Sequence, residues 1–163
     1  MKRISISLIA LLALAAFTFK ADRANFSGTW KLNESKSDLG QFARFAPHTI
    51  KVEQNNDGIT ISKTAPSFNG DDVTTTEALT FDGKETETTV FGNSKKKSTV
   101  KWSDDAQGMT INYTIELDFN GQTSEIKGTE VWSLSDGGKT LTLKINASSP
   151  QGDLSSTAVY DKQ

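Results

Sequence analysis

The chain has 163 residues, a formal net charge of −2 and no cysteine. These values exclude a disulfide scaffold and thiol chemistry, and they argue against a nucleic-acid binder that works through bulk positive charge. With a leader set aside, about 140 residues remain, enough for one domain that buries a core without cross-links.

The leader is read from Lys2 and Arg3, followed by an uncharged, mostly apolar run from Ile4 to Phe19. A charged n-region before an h-region is the pattern of a signal peptide, and the run falls short of the roughly 20 apolar residues of a spanning helix. The expected division is a signal peptide over 1–24, with its cleavage site open, and a domain over 25–163. No cysteine follows the run, so a lipid anchor is not expected. The expected location is secreted or periplasmic, by bacterial-type export; a disulfide-free chain suits this, since oxidising compartments permit disulfides without demanding them.

Strand signals then follow one another. Trp30 and Leu32 alternate after Gly28. Glu34 to Pro47 is the one connection longer than a simple turn or loop; within it, "SDLGQFARF" (Ser37 to Phe45) has room for one or two helical turns, with Gly40 costing about 1 kcal/mol relative to Ala. Ile50 and Val52 alternate, as do Ile59 and Ile61. A run from Val73 ends in Leu79 and Phe81. Lys95-Lys96-Lys97 opens a strand on which Val100 and Trp102 share a face, and alternation sends Lys95, Lys97 and Lys101 to the other. "MTINYTIELDF" (Met109 to Phe119) alternates strictly over eleven residues, which a helical period cannot match. Ile126 precedes Trp132 and Leu134. Leu141, Leu143 and Ile145 alternate with Thr140, Thr142 and Lys144, and Ala158 and Tyr160 close the chain.

Turn signals separate these runs: Asn56-Asp57-Gly58, Asp82-Gly83, Gly92-Asn93, Asn120-Gly121, Asp136-Gly137-Gly138 and Pro150-Gln151-Gly152. Their residues tolerate positive φ and suit tight hairpins. No amphipathic helix separates two strands, so parallel crossovers are excluded. The expected fold is all-β: an antiparallel up-and-down meander of about ten strands. Rolled into a barrel, it loses the exposed edges of an open sheet and gains internal volume. Two packed sheets around a filled core are the other solution.

Phe26-Ser27-Gly28-Thr29-Trp30-Lys31-Leu32 resembles the opening strand of the intracellular fatty-acid-binding proteins, and its Gly-x-Trp is similar to the start of the wider lipocalins. The end, "STAVYDKQ" (Ser156 to Gln163), resembles the last strand of the fatty-acid binders. The resemblance implies a lipocalin-like, calycin barrel with a helical lid and an internal ligand. It also implies an Arg-x-Tyr pair for a carboxylate on the last strand. Here Tyr160 takes the Tyr place and Ala158 the Arg place, so fatty-acid specificity is not carried over.

Catalytic residues are not expected. The one histidine, His48, has no Gly-x-Ser-x-Gly to serve, and no set of metal ligands or cofactor motif is recognisable. Interest falls on polar residues in phase with apolar ones. Glu77 shares a face with Val73, Leu79 and Phe81. Glu130 shares one with Ile126, Trp132 and Leu134, unless a bulge at Gly128 turns it outward. Tyr113 is in phase with Met109 and Leu117, and Tyr160 with Ala158. Glu77, Tyr113, Glu130, Trp132 and Tyr160 are therefore the expected lining of a cavity, and Trp30 a structural plug at its closed end. Lys95, Lys96 and Lys97 form either a solvated face or a patch for transient membrane contact. The expected function is non-enzymatic binding of a small hydrophobic or amphipathic ligand by a monomeric barrel, without nucleic acid, metal or cofactor. The alternative is a filled barrel that binds a protein partner through its loops.

Overall fold

A computed structural model describes residues 22–67, 69–90, 94–119, 122–150 and 152–163; the apolar run Ile4 to Phe19 lies outside them. Ten strands are present: β1 (Gly28–Leu32), β2 (Thr49–Gln54), β3 (Gly58–Pro66), β4 (Asp72–Thr80), β5 (Thr86–Val90), β6 (Ser94–Trp102), β7 (Gly108–Phe119), β8 (Gln122–Ser135), β9 (Thr140–Ser149) and β10 (Gly152–Lys162). They form one antiparallel sheet in the order β4-β3-β2-β1-β10-β9-β8-β7-β6-β5. The first and last strands pair, with Trp30 opposite Lys162 and Leu32 opposite Tyr160. The sheet therefore closes through its termini. Its two ends, β4 and β5, meet at a seam that carries no backbone ladder among the described residues. The result is a nearly closed ten-strand meander barrel, as alternation and turn spacing imply. β5 is the strand that gave no signal, because its sequence, Thr-Glu-Thr-Thr-Val, has one apolar residue.

Register sorts the inward side chains into rows that cross the sheet. One row is Trp102, Met109, Trp132, Leu143 and Ala158. Next comes Val100, Ile111, Glu130, Ile145 and Ser156, then Ser98, Tyr113, Gly128, Ala147 and Leu154. On the other wall, Gly28, Val52, Ile61 and Glu77 align, followed by Trp30, Ile50, Lys63 and Thr75. The rows run from apolar to mixed, and packing follows them.

At the apolar end the interior is solid. Trp30, Trp132, Phe26, Met109 and Leu141 are fully buried. Trp30 donates its indole N–H to the Phe26 carbonyl at 2.9 Å. Phe26 meets Trp132 edge-on at 5.8 Å, and Phe81 meets Trp102 at 5.1 Å. Arg23 covers this cluster, its guanidinium 4.9 Å from the Phe81 ring centre and 5.3 Å from that of Trp102. Trp30 thus sits in the closed end.

At the opposite end the inward positions are not packed shut. Ile115, Ile126, Ala147 and Leu154 are only half-buried, and Val73, in phase with Glu77, is 51% exposed. The long connection runs past this end in two 3-10 segments, Glu34–Lys36 and Gly40–Phe45. It is anchored where Asp38 bridges Thr157 and where the His48 N–H bonds the Thr64 carbonyl. Gly40 stands at φ +52, a value that breaks any continuous helix, so the segment makes short turns only.

Candidate functional site

The second and third rows meet the facing wall in a cluster of charge. Lys63 of β3 places its Nζ 2.7 and 2.6 Å from the two oxygens of Glu130 on β8. Lys96 of β6 bonds Glu77 of β4 at 2.9 Å and lies 3.8 Å from Glu130. The Trp132 indole N–H donates to Glu130 at 3.1 Å, and the Ser98 hydroxyl reaches Glu77 at 3.5 Å. Lys96 also sits 4.8 Å from the centre of the Tyr113 ring. Glu77, Glu130 and Lys96 are 5%, 6% and 7% exposed. Two lysines and two carboxylates alternate, so the cluster is balanced in charge. Balance is what burial demands, because an unpaired charge in this environment would cost several kcal/mol.

The electrostatics are those of a shared site. Burial would raise the Glu130 carboxyl, but Lys63 and Lys96, with the hydrogen bonds from Lys63 and Trp132, hold it at about 2. Burial would lower Lys96; Glu130 and Glu77 overcome it and the ammonium is raised. Burial, then the charge of Glu130 and Glu77, raises the Tyr113 phenol. Burial and Glu130 raise that of Tyr160.

Local sequence makes the arrangement possible. The β7–β8 register is continuous, with Tyr113 opposite Gly128 and Ile111 opposite Glu130. There is no bulge at Gly128, and Glu130 faces in. The glycine is required instead by its neighbours: a Cβ there would collide with the Cζ and hydroxyl of Tyr113 and crowd the backbone carbonyl of Asn146 at 2.9 Å. On β10, the Tyr160 and Ser156 hydroxyls are buried and have no hydrogen-bond partner among the described residues. No group of three or more His, Asp or Glu suited to a metal occurs among those residues.

Glu77, Tyr113, Glu130, Trp132 and Tyr160 thus all face inward, gathered around the Glu130 carboxylate. Sequence reasoning missed their counter-ions. Lys63 is in phase with Ile59 and Ile61, and Lys96 with Val100 and Trp102; the parity that assigns Lys95, Lys97 and Lys101 outward assigns Lys96 inward. Lys96 is buried against Glu77, so it cannot share an outer patch with Lys95 and Lys97. Lys97 pairs with Glu116 at 3.0 Å on the outside, and Lys95 lies 3.4 Å from Glu87. An open trough of about 740 Å³ crosses β6 to β10 over the row from Ser98 to Leu154. Most of its lining, including Lys97, Asn112, Thr129 and Asn146, flanks that row, which by alternation puts the trough on the outer face.

These features define a calycin-like fold: a nearly closed barrel of ten antiparallel strands, its first and last strands paired, around a polar cluster. Among solved structures, the chain is similar to zebrafish ileal bile acid-binding protein crystallised with cholic acid, with a TM-score of 0.52, 20% identity, and coverage of 85% of this chain and 98% of that one. At that identity the likeness concerns the fold. No family model and no curated protein sequence matches the chain.

Proposed function

We propose that the protein is an exported, non-catalytic carrier that takes a small amphipathic molecule into its barrel, apolar part toward the half-packed mouth and polar part against the charged cluster. The observation that carries this reading is the position of Glu77, Lys96, Glu130 and Lys63. They lie between a solid apolar end and an open end lined by half-buried Ile115, Ile126 and Leu154. A barrel needing only a stable core would fill these places with apolar residues, because a buried ion-pair network is commonly no better for stability than its apolar replacement. Pockets that bind small molecules combine apolar walls with a few placed polar groups. The solved structure of similar fold holds a bile acid, which supports the same reading.

The test is native mass spectrometry of gently purified protein, followed by displacement of an environment-sensitive dye. A co-purified species or saturable dye uptake is expected; neither would leave the filled-barrel reading. That second reading has its own support in the trough on the outer face, a surface that a partner could occupy while the interior stays closed.

A further inference from the structure

We infer that the ligand's polar end is uncharged, an alcohol, ester or amide rather than a carboxylate or an amine. This rests on the carrier reading above and specifies the class of molecule carried.

The cluster already neutralises itself. Lys63 gives two hydrogen bonds to Glu130, and Lys96 divides its charge between Glu77 and Glu130. A carboxylate brought to these lysines would compete with two buried carboxylates and leave the site with an unbalanced negative charge. An ammonium would meet two ammonium groups and leave a positive one. Either imbalance is costly where water is excluded. Arginine offers no remedy, since the two arginines among the described residues lie elsewhere: Arg23 stacks at the closed end, and Arg44 stands over the Phe45 ring in the connecting segment.

The site does have hydrogen-bonding capacity to offer. Tyr160 is fully buried and Ser156 is 5% exposed, and neither hydroxyl has a partner among the described residues. Buried polar side chains are nearly always satisfied by protein, water or ligand atoms, so two unpaired hydroxyls on the inward face of one strand are open to a partner from outside the chain. Ser156 lies in the Glu130 row, with Ile145 between them. Each hydroxyl can both donate and accept, which suits an alcohol, an ester or an amide without adding charge.

Three probes with the same twelve-carbon chain test this on the purified chain at neutral pH, below their aggregation concentrations: 1-monolauroylglycerol, laurate and dodecylammonium. Monolauroylglycerol should displace the dye at about ten-fold lower concentration than either charged probe, the ratio that one unpaired interaction of about 1.4 kcal/mol produces. Tyr160→Phe and Ser156→Ala should each weaken monolauroylglycerol several-fold and leave the unfolding midpoint of the free protein unchanged or higher, since each removes an unsatisfied group. A purely structural role would lower the midpoint and leave the probe order intact. Glu130→Gln, or Glu77→Gln if that variant does not fold, should shift the preference toward laurate by freeing a lysine. Laurate binding as tightly as monolauroylglycerol in the unaltered protein would overturn the inference while the carrier reading stood. Binding of none of the probes or of the dye would overturn the carrier reading and this inference with it.

Discussion

Lys63 and Glu130 face each other across the barrel interior, the ammonium within 2.7 Å of both carboxylate oxygens. They belong to β3 and β8, strands that are not neighbours in the sheet. Their bond therefore ties opposite walls together and fixes the level at which the solid core ends. Lys63→Met should destabilise by about 3–5 kcal/mol, because it leaves Glu130 buried with only the more distant Lys96 as counter-ion. Adding Glu130→Gln should restore part of that loss, since the remaining Lys96–Glu77 pair is again neutral. Urea unfolding of both variants checks the sign: a double variant less stable than Lys63→Met alone would contradict it.

The same pair sets a pH dependence. Glu130 is held at about 2, below the ordinary value of 4.5. A carboxyl whose folded value is depressed contributes stability that is full above the unfolded value and is lost as pH falls through the folded one. The window is thus pH 4.5 down to about 2. On the order of 3 kcal/mol should disappear across it. Unfolding free energies measured through this range should fall steeply for the unaltered protein and much less for Glu130→Gln; parallel curves would count against the assignment.

Trp30 is the anchor of the closed end, fully buried and bonded through its indole N–H to the Phe26 carbonyl. Trp30→Ala should cost about 3–5 kcal/mol, the usual penalty for emptying so large a site. Because Trp30 lies in the solid end, the loss should appear in stability more than in ligand affinity at protein concentrations where the variant remains folded. A denaturation midpoint equal to that of the parent would refute this.

Gly128 and Tyr113 form a second matched pair. The tyrosine ring occupies the space a Cβ would need. Gly128→Ala should therefore displace the ring and destabilise by roughly 1–3 kcal/mol, the range for overpacking. Combining it with Tyr113→Ala should cost less than the two single changes added together, because the cavity removes the collision with the ring and leaves the crowding of the Asn146 carbonyl. Additive losses in a thermal or urea series would show that the two residues do not share the space.

Much of this architecture is legible in the chain. Met109 to Leu117 alternates without fault because β7 has one packed and one wet face, and Asp136-Gly137-Gly138 marks the β8–β9 hairpin because all three residues adopt positive φ. β5 is not legible: a short strand at the seam packs little, so no apolar period is imposed on Thr86–Val90. Glu77 and Glu130 are legible as inward-facing because parity is local. Their partners are harder to see, because Lys63 and Lys96 lie 67 and 19 residues away from the carboxylates they bond. Parity can place each lysine inward, but only the closed barrel says which carboxylate it meets.

The seam between β4 and β5 gives the last prediction. Without a backbone ladder there, the wall is held by side chains, and the Lys96–Glu77 bond spans from β6 to β4, past the short β5. Removing it should loosen the seam before it loosens the rest, since strands lacking backbone partners on one side open with lower free energy than those paired on both. In Lys96→Met, amide hydrogens of β4 and β5 should exchange faster. Those of β9 and β10, paired on both sides, should keep their protection. Two opposing effects set the size of the change. Glu77 and Glu130 lose a buried cation, which costs stability throughout the cluster. Met restores apolar packing against the Tyr113 ring and recovers some of it. The seam then keeps just the longer Ser98–Glu77 hydrogen bond between β6 and β4 among the described residues, so local exchange should rise even if global stability falls little. Uniform acceleration across all ten strands would show that Lys96 supports the whole barrel, and unchanged exchange in β4 and β5 would show that the seam does not depend on it.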